Sequence, residues 1–131
     1  MNRQRALKVV LVVVGLLSVA AVLPVAGGIL HPEQSDPGDT MMMSLYATLG
    51  IFLLLASRAP SAHRTLIAFT AWSSFAHAVV MSLLGLEIAS QRDGFLIGSA
   101  LLVVIGAVLL ALAPAKSAAQ HPTPTVSAEP A

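Results

Sequence analysis

The residue of this chain best equipped for chemistry is a histidine inside an apolar run. His77 lies in the uncharged stretch 66–86, where an imidazole costs free energy to place in hydrocarbon. It is therefore expected to face protein or water and to mark a functional position. Thr70, Ser73, Ser74, His77 and Met81 recur at three- or four-residue spacing, so on a helix they form one stripe. That stripe is expected to face the preceding apolar segment, with the Tyr46 hydroxyl or Thr48 as partner for a ring nitrogen. A common mid-depth level would collect Ser18, Thr48, Ser74 and His77, with Tyr46 about one turn further out.

Three chemistries suit the stripe. The plainest is structural: hydroxyls and imidazole bonding across helices, each pair contributing about 0.6 kcal/mol on average. The second is a ligand site or proton relay, since an imidazole changes charge near neutral pH when its site is wet. The third, haem or metal ligation, needs a second histidine from a partner chain, because no other apolar segment holds one. No cofactor and no metal site is expected in the chain itself. Met41-Met42-Met43 reads as adaptable apolar packing rather than a copper site. Arg58, His63 and Arg64 form a second cluster, suited to lipid phosphates at about 1 kcal/mol per charge near an anionic surface. A specific anionic ligand or a soluble partner is the alternative. The acids Glu33, Asp36, Asp39, Glu87 and Asp93 are too scattered for a calcium loop. No hydrolase elbow, phosphate loop, HExxH or dinucleotide fingerprint occurs, so the expected activity is non-enzymatic.

The elements that must hold these residues follow from composition. With 56% hydrophobic and only 10% charged residues and a mean hydropathy of +0.85, the chain belongs in lipid. It has no cysteine, which excludes disulfides, thiolate metal sites and cysteine nucleophiles. A net charge of +1 gives no reason to expect nucleic acid. Four apolar stretches, about 6–30, 37–57, 62–86 and 95–113, reach the roughly 20 residues a membrane-crossing helix needs. The expectation is an all-α, four-span transmembrane antiparallel helix bundle over 1–114, followed by a disordered cytoplasmic tail over 115–131, rich in Pro, Ser, Thr and Ala. A cleaved signal peptide is the rival reading of the first stretch. It has the basic start, but its apolar run continues past the small residues near Pro24 to Leu30.

Asp36 is expected to cap the second span, with Pro37 at its first position and Asp39 meeting the helix N-terminus. Ala59-Pro60 ends that helix, and Ser61 can cap the next. So short a link predicts that spans two and three are antiparallel neighbours, forming the polar centre. Gly94 and Gly98, with Gly106 further along the same face, allow close helix approach, within the chain or in a homodimer. If the N-terminus is cytoplasmic, Arg3, Arg5, Lys8, Arg58, Arg64 and Lys116 share that side, six of the seven cations, leaving only Arg92 outside. The positive-inside rule then predicts N-in/C-in threading.

The runs Met43-Ser44-Leu45-Tyr46-Ala47-Thr48-Leu49-Gly50, Pro60-Ser61-Ala62-His63-Arg64 and Phe69-Thr70-Ala71-Trp72-Ser73-Ser74-Phe75-Ala76-His77-Ala78 resemble a family of small bacterial membrane proteins known only as a domain of unknown function. The likeness extends from the basic N-terminus to about Lys116. It implies a four-span bundle in a bacterial cytoplasmic membrane and carries no activity. A looser likeness to DoxX-like four-helix membrane proteins rests on span count and size alone. The functional expectation is a small integral membrane protein, either a structural or accessory subunit or a binder of a small molecule or lipid. Its partners would be the lipid bilayer and a second copy or another membrane protein. A proton-conducting or transport element using His77 is the second reading, and a haem-binding redox protein the third.

Overall fold

The computed structural model describes residues 2–114, so the expected tail at 115–131, with Lys116, lies outside the described residues. Helices α1 (Arg3–Val19), α2 (Val22–Leu30), α3 (Pro37–Ala56), α4 (Arg64–Glu87) and α5 (Arg92–Leu112) follow in order, with 3₁₀ turns at Pro32–Gln34 and Ala89–Gln91. Helices α1 and α2 are two pieces of one crossing, and four spans of 28, 20, 24 and 24 residues are long and apolar enough to cross a membrane. The shortest, α3, is about 30 Å long at 1.5 Å per residue, the thickness of a hydrocarbon core.

The break between α1 and α2 comes at Ala20-Ala21, one turn before Pro24. Proline has no N–H, so the Ala20 carbonyl lacks the donor that would ordinarily lie four residues on. The Leu23 N–H donates to it instead at 3.0 Å, and the Ala21 N–H donates to the Ser18 carbonyl at 3.1 Å. Both bonds span three residues, so the helix winds tighter here. Gly27 and Gly28 remain helical.

Local chemistry sets the other boundaries. Asp36 Oδ1 accepts from the Gly38 N–H at 2.7 Å and the Asp39 N–H at 3.1 Å, with Pro37 as the first helical residue. Helix α4 starts without the Ser61 cap expected of it: His63 holds the capping position and its side chain makes no capping bond. Two arginines close helix C-termini. Arg3 Nη2 donates to the Ala111 and Ala113 carbonyls at the end of α5, at 2.8 and 2.9 Å. Arg92 donates to the Gly85 and Leu86 carbonyls at the end of α4, at 3.1 and 3.4 Å.

The pairing of spans differs from the sequence expectation. Helix α4 packs along α5, and α1 and α2 pack along α3, whereas α3 and α4 touch only sparsely despite the short link between them. The molecule is two helical hairpins, and the backbones meet within hairpins where side chains are smallest. A Cβ on Gly50 of α3 would lie 2.6 Å from Val19 N and 2.7 Å from the Gly15 carbonyl oxygen of α1. A Cβ on Gly106 of α5 would lie 3.0 Å from the Ala71 oxygen of α4. Lipid offers no hydrophobic force favouring one neighbour over another, so close small-residue contacts decide the pairs.

The hairpins join at one end. Leu7, Leu11, Leu53, Ile67 and Leu109 are at most 1% exposed and form the core with Val14 and Ala71. All of them lie in the half that carries Arg3, Arg58 and Arg64, here the basic end. Toward the opposite, acidic end, which carries Asp36, Asp39 and Glu87, the hairpins separate. Elsewhere large apolar side chains face outward, among them Leu17, Leu23, Ile29, Leu45, Phe69 and Trp72. That inversion of the water-soluble pattern, on spans of this length, is that of a multi-pass membrane protein.

Candidate functional site

The separation of the hairpins leaves a cleft, and the stripe residues stand on its wall. His77 on α4 and Tyr46 on α3 face each other across it, ring centroids 5.6 Å apart and planes at 83°, an edge-to-face contact. The two side chains bound an inner cavity of about 390 Å³ and an outer one of about 760 Å³. The inner cavity touches all four spans and includes Ser18, Thr70 and Ser74. The outer one runs from Tyr46 and His77 past Met42, Met43 and Met81 to Asp39 and Gln91 at the acidic end.

The remaining candidates divide. Thr70 and Ser74 are buried, but their hydroxyls bond backward along α4: Thr70 Oγ1 donates to the Leu66 carbonyl at 2.9 Å and Ser74 Oγ to the Thr70 carbonyl at 2.7 Å. Ser73 Oγ donates to the same Thr70 carbonyl at 3.1 Å. None of the three bonds across helices, because a hydroxyl on a helix reaches its own preceding turn at no cost in span separation. Thr48 is exposed and donates to the Ser44 carbonyl at 3.0 Å. It points away from His77, into a lateral groove of about 410 Å³ with Phe52 and Phe69. Of the two partners expected for His77, Tyr46 is adjacent through its ring and Thr48 is not adjacent.

The Tyr46 hydroxyl and the His77 ring nitrogens make no hydrogen bond to another described residue, and neither is shut away from the cleft. Polar groups at mid-span depth must be satisfied by water or by a bound molecule. The cleft walls are otherwise largely apolar, which suits an amphipathic occupant. Beyond the inner cavity, toward the basic end, the core leucines and Ile67 fill the space between hairpins.

The cross-helix hydroxyl bonds lie elsewhere. Ser82 Oγ donates to Ser99 Oγ at 3.0 Å, and Ser99 Oγ donates to the Ala78 carbonyl at 2.9 Å, joining α4 to α5. Ser99 was not singled out by sequence. Its signal was there, since it is the sole hydroxyl-bearing residue of the last apolar stretch. Arg58 and His63 are exposed and Arg64 half-buried, all at the basic end. Among the described residues no group of three metal-ligating side chains comes together.

Neither the curated proteins nor the solved structures contain a match to this chain. A family model does match, over residues 2–128, and its reach past Lys116 brings most of the tail within the family, beyond the limit expected from the sequence. With nearly its whole length covered, the chain belongs to DUF6632, a family of unknown function.

Proposed function

We propose that this multi-pass membrane protein binds a small apolar molecule or a lipid, without converting it, in the cleft between its hairpins. Tyr46 and His77 are the polar contacts at the cleft floor, and Ser73 and Ser74 flank them on α4. The observation that carries this reading is the pairing of an open, apolar-walled cleft with two aromatic polar side chains that no described residue satisfies. Its outer part, at about 760 Å³, falls within the roughly 300–1,000 Å³ of small-molecule sites. Conduction of protons through His77 is the less favoured function, because five side chains at most 1% exposed fill the half of the bundle beyond it.

In this reading the basic end is cytoplasmic, giving N-in/C-in threading in a bacterial cytoplasmic membrane. Arg58, His63 and Arg64 meet phosphates of that surface, while exposed apolar faces meet acyl chains or a second copy.

Native mass spectrometry of protein purified in mild detergent tests the binding. Wild type should carry a small non-covalent adduct, and Ala76→Trp, which fills the outer cavity beside His77, should lose it while keeping its helical content. An adduct equally abundant in both proteins, or absent from wild type, overturns the reading.

A further inference from the structure

We infer that the molecule this cleft accepts is an amphipathic cation, its positive group at the Asp39 carboxylate and its apolar body reaching down to Tyr46 and His77. The inference rests on the binding reading above and adds the charge of the ligand.

Three adjoining spaces lie between the hairpins, and among the described residues the only formally charged side chain lining any of them is Asp39, on the wall of the outer cavity. It lies exposed in the first turn of α3, where the helix dipole favours the ionised form, and no described cation is paired with it. The nearby carboxylate of Asp36 is committed to the start of α3, where Oδ1 takes the Gly38 and Asp39 N–H groups. The single described cation of the acidic end, Arg92, is turned onto the Gly85 and Leu86 carbonyls. The Asp39 carboxylate has no partner among the described residues. An anion entering the cleft would meet this carboxylate with Glu33, Asp36, Glu87 and Asp93 at the same end, whereas a cation is attracted before it arrives.

The walls below suit the rest of such a molecule. Met42, Met43 and Met81 are flexible and polarizable, able to repack around apolar bodies of different shape. The Tyr46 and His77 rings offer aromatic surface for the far end of that body. Asp39 and Tyr46 are seven residues apart on one helix, about 10 Å along its axis. That sets the length of the apolar body.

Tetraphenylphosphonium and tetraphenylborate have nearly the same shape and opposite charge, so they isolate the electrostatic contribution. Binding of each labelled ion to the full chain in phosphatidylcholine nanodiscs is measured in separate samples, each against empty discs, because the two ions pair when mixed. Wild type should bind the phosphonium saturably and the borate weakly, and Asp39→Asn should weaken phosphonium binding by about tenfold with helicity unchanged. Asp39→Glu, which keeps the charge, should restore it. Equal affinity for both ions, or phosphonium binding unchanged in Asp39→Asn, overturns the inference. If neither ion binds while the native adduct of wild type persists, the cation inference fails and the binding reading stands; if that adduct is missing too, both fail.

Discussion

The Tyr46 ring meets the His77 ring at 83° with centroids 5.6 Å apart, and this is the aromatic contact that crosses between hairpins. The other described ring pair, Trp72 with Phe75, lies within α4. Because the Tyr46–His77 contact is edge-to-face and no hydrogen bond accompanies it, its stabilising part belongs to ring shape rather than to the imidazole nitrogens. Phenylalanine keeps the ring and alanine removes it. In thermal unfolding in detergent, His77→Phe should match wild type to within about 1 kcal/mol, while His77→Ala should lose about 0.5–1.5 kcal/mol. Both should lose the native adduct. A strongly destabilised His77→Phe protein would instead make the imidazole a structural tie.

The α1–α3 seam should tolerate no side chain at Gly50. A Cβ there would sit 2.6 Å from Val19 N and 2.7 Å from the Gly15 oxygen, both backbone atoms that cannot step aside. Gly50→Val must therefore push the helices apart, costing about 1–3 kcal/mol. Gly94 has nothing within 4 Å of its would-be Cβ, and Gly94→Ala should be neutral or slightly stabilising. Equal stability of the two variants would show that α1 and α3 do not cross at Gly50.

On the α4–α5 seam, Ser99 sits between Ser82 and the Ala78 carbonyl. Removing its hydroxyl breaks both bonds at once, and removing the Ser82 hydroxyl breaks one. Ser99→Ala should cost about 0.6–1.7 kcal/mol and Ser82→Ala less. The double variant should cost little more than Ser99→Ala alone, since the two changes share a bond. Full additivity in the double-mutant cycle would place the hydroxyls apart.

How far the sequence could be read depended on whether a signal was local. Asp36 and Pro37 start α3 through bonds made within three residues, so that boundary was legible from residue types alone. The all-helical class and its four membrane-length spans were equally legible, because both follow from apolar run lengths. Pairing was not. Two spans joined by a short turn were expected to pack together, yet α3 found α1 through Gly15 and Gly50, which no periodicity announces, and α4 found α5 at Gly106, one of the glycines whose spacing had marked a face for close approach. The geometry of the candidate site was half legible for the same reason. His77 stands out by its cost in hydrocarbon, and Tyr46 by depth, but Thr48 was placed beside them by level without regard to which way α3 is turned about its axis. That turn is set by Gly50 seated on α1, two residues beyond Thr48.

The threading can be read directly, because a chain without cysteine accepts single reporter thiols on a silent background. Gln4 and Ser61 are exposed at the basic end and Ser90 at the acidic end, where Ser35 is half-buried. Arg3 holds the start of α1 to the end of α5 through the Ala111 and Ala113 carbonyls, so α1 begins on the side where α5 finishes. If the cationic end is retained in the cytoplasm, intact cells treated with a membrane-impermeant maleimide should label Ser35→Cys and Ser90→Cys and spare Gln4→Cys and Ser61→Cys. Permeabilised cells should label all four. Labelling of Gln4→Cys and Ser61→Cys alone in intact cells would invert the protein in the membrane and turn the cleft mouth toward the cytoplasm. Labelling of one site from each pair would break the four-span arrangement itself, because the Arg3 contact requires the beginning of the first crossing and the end of the last on one face.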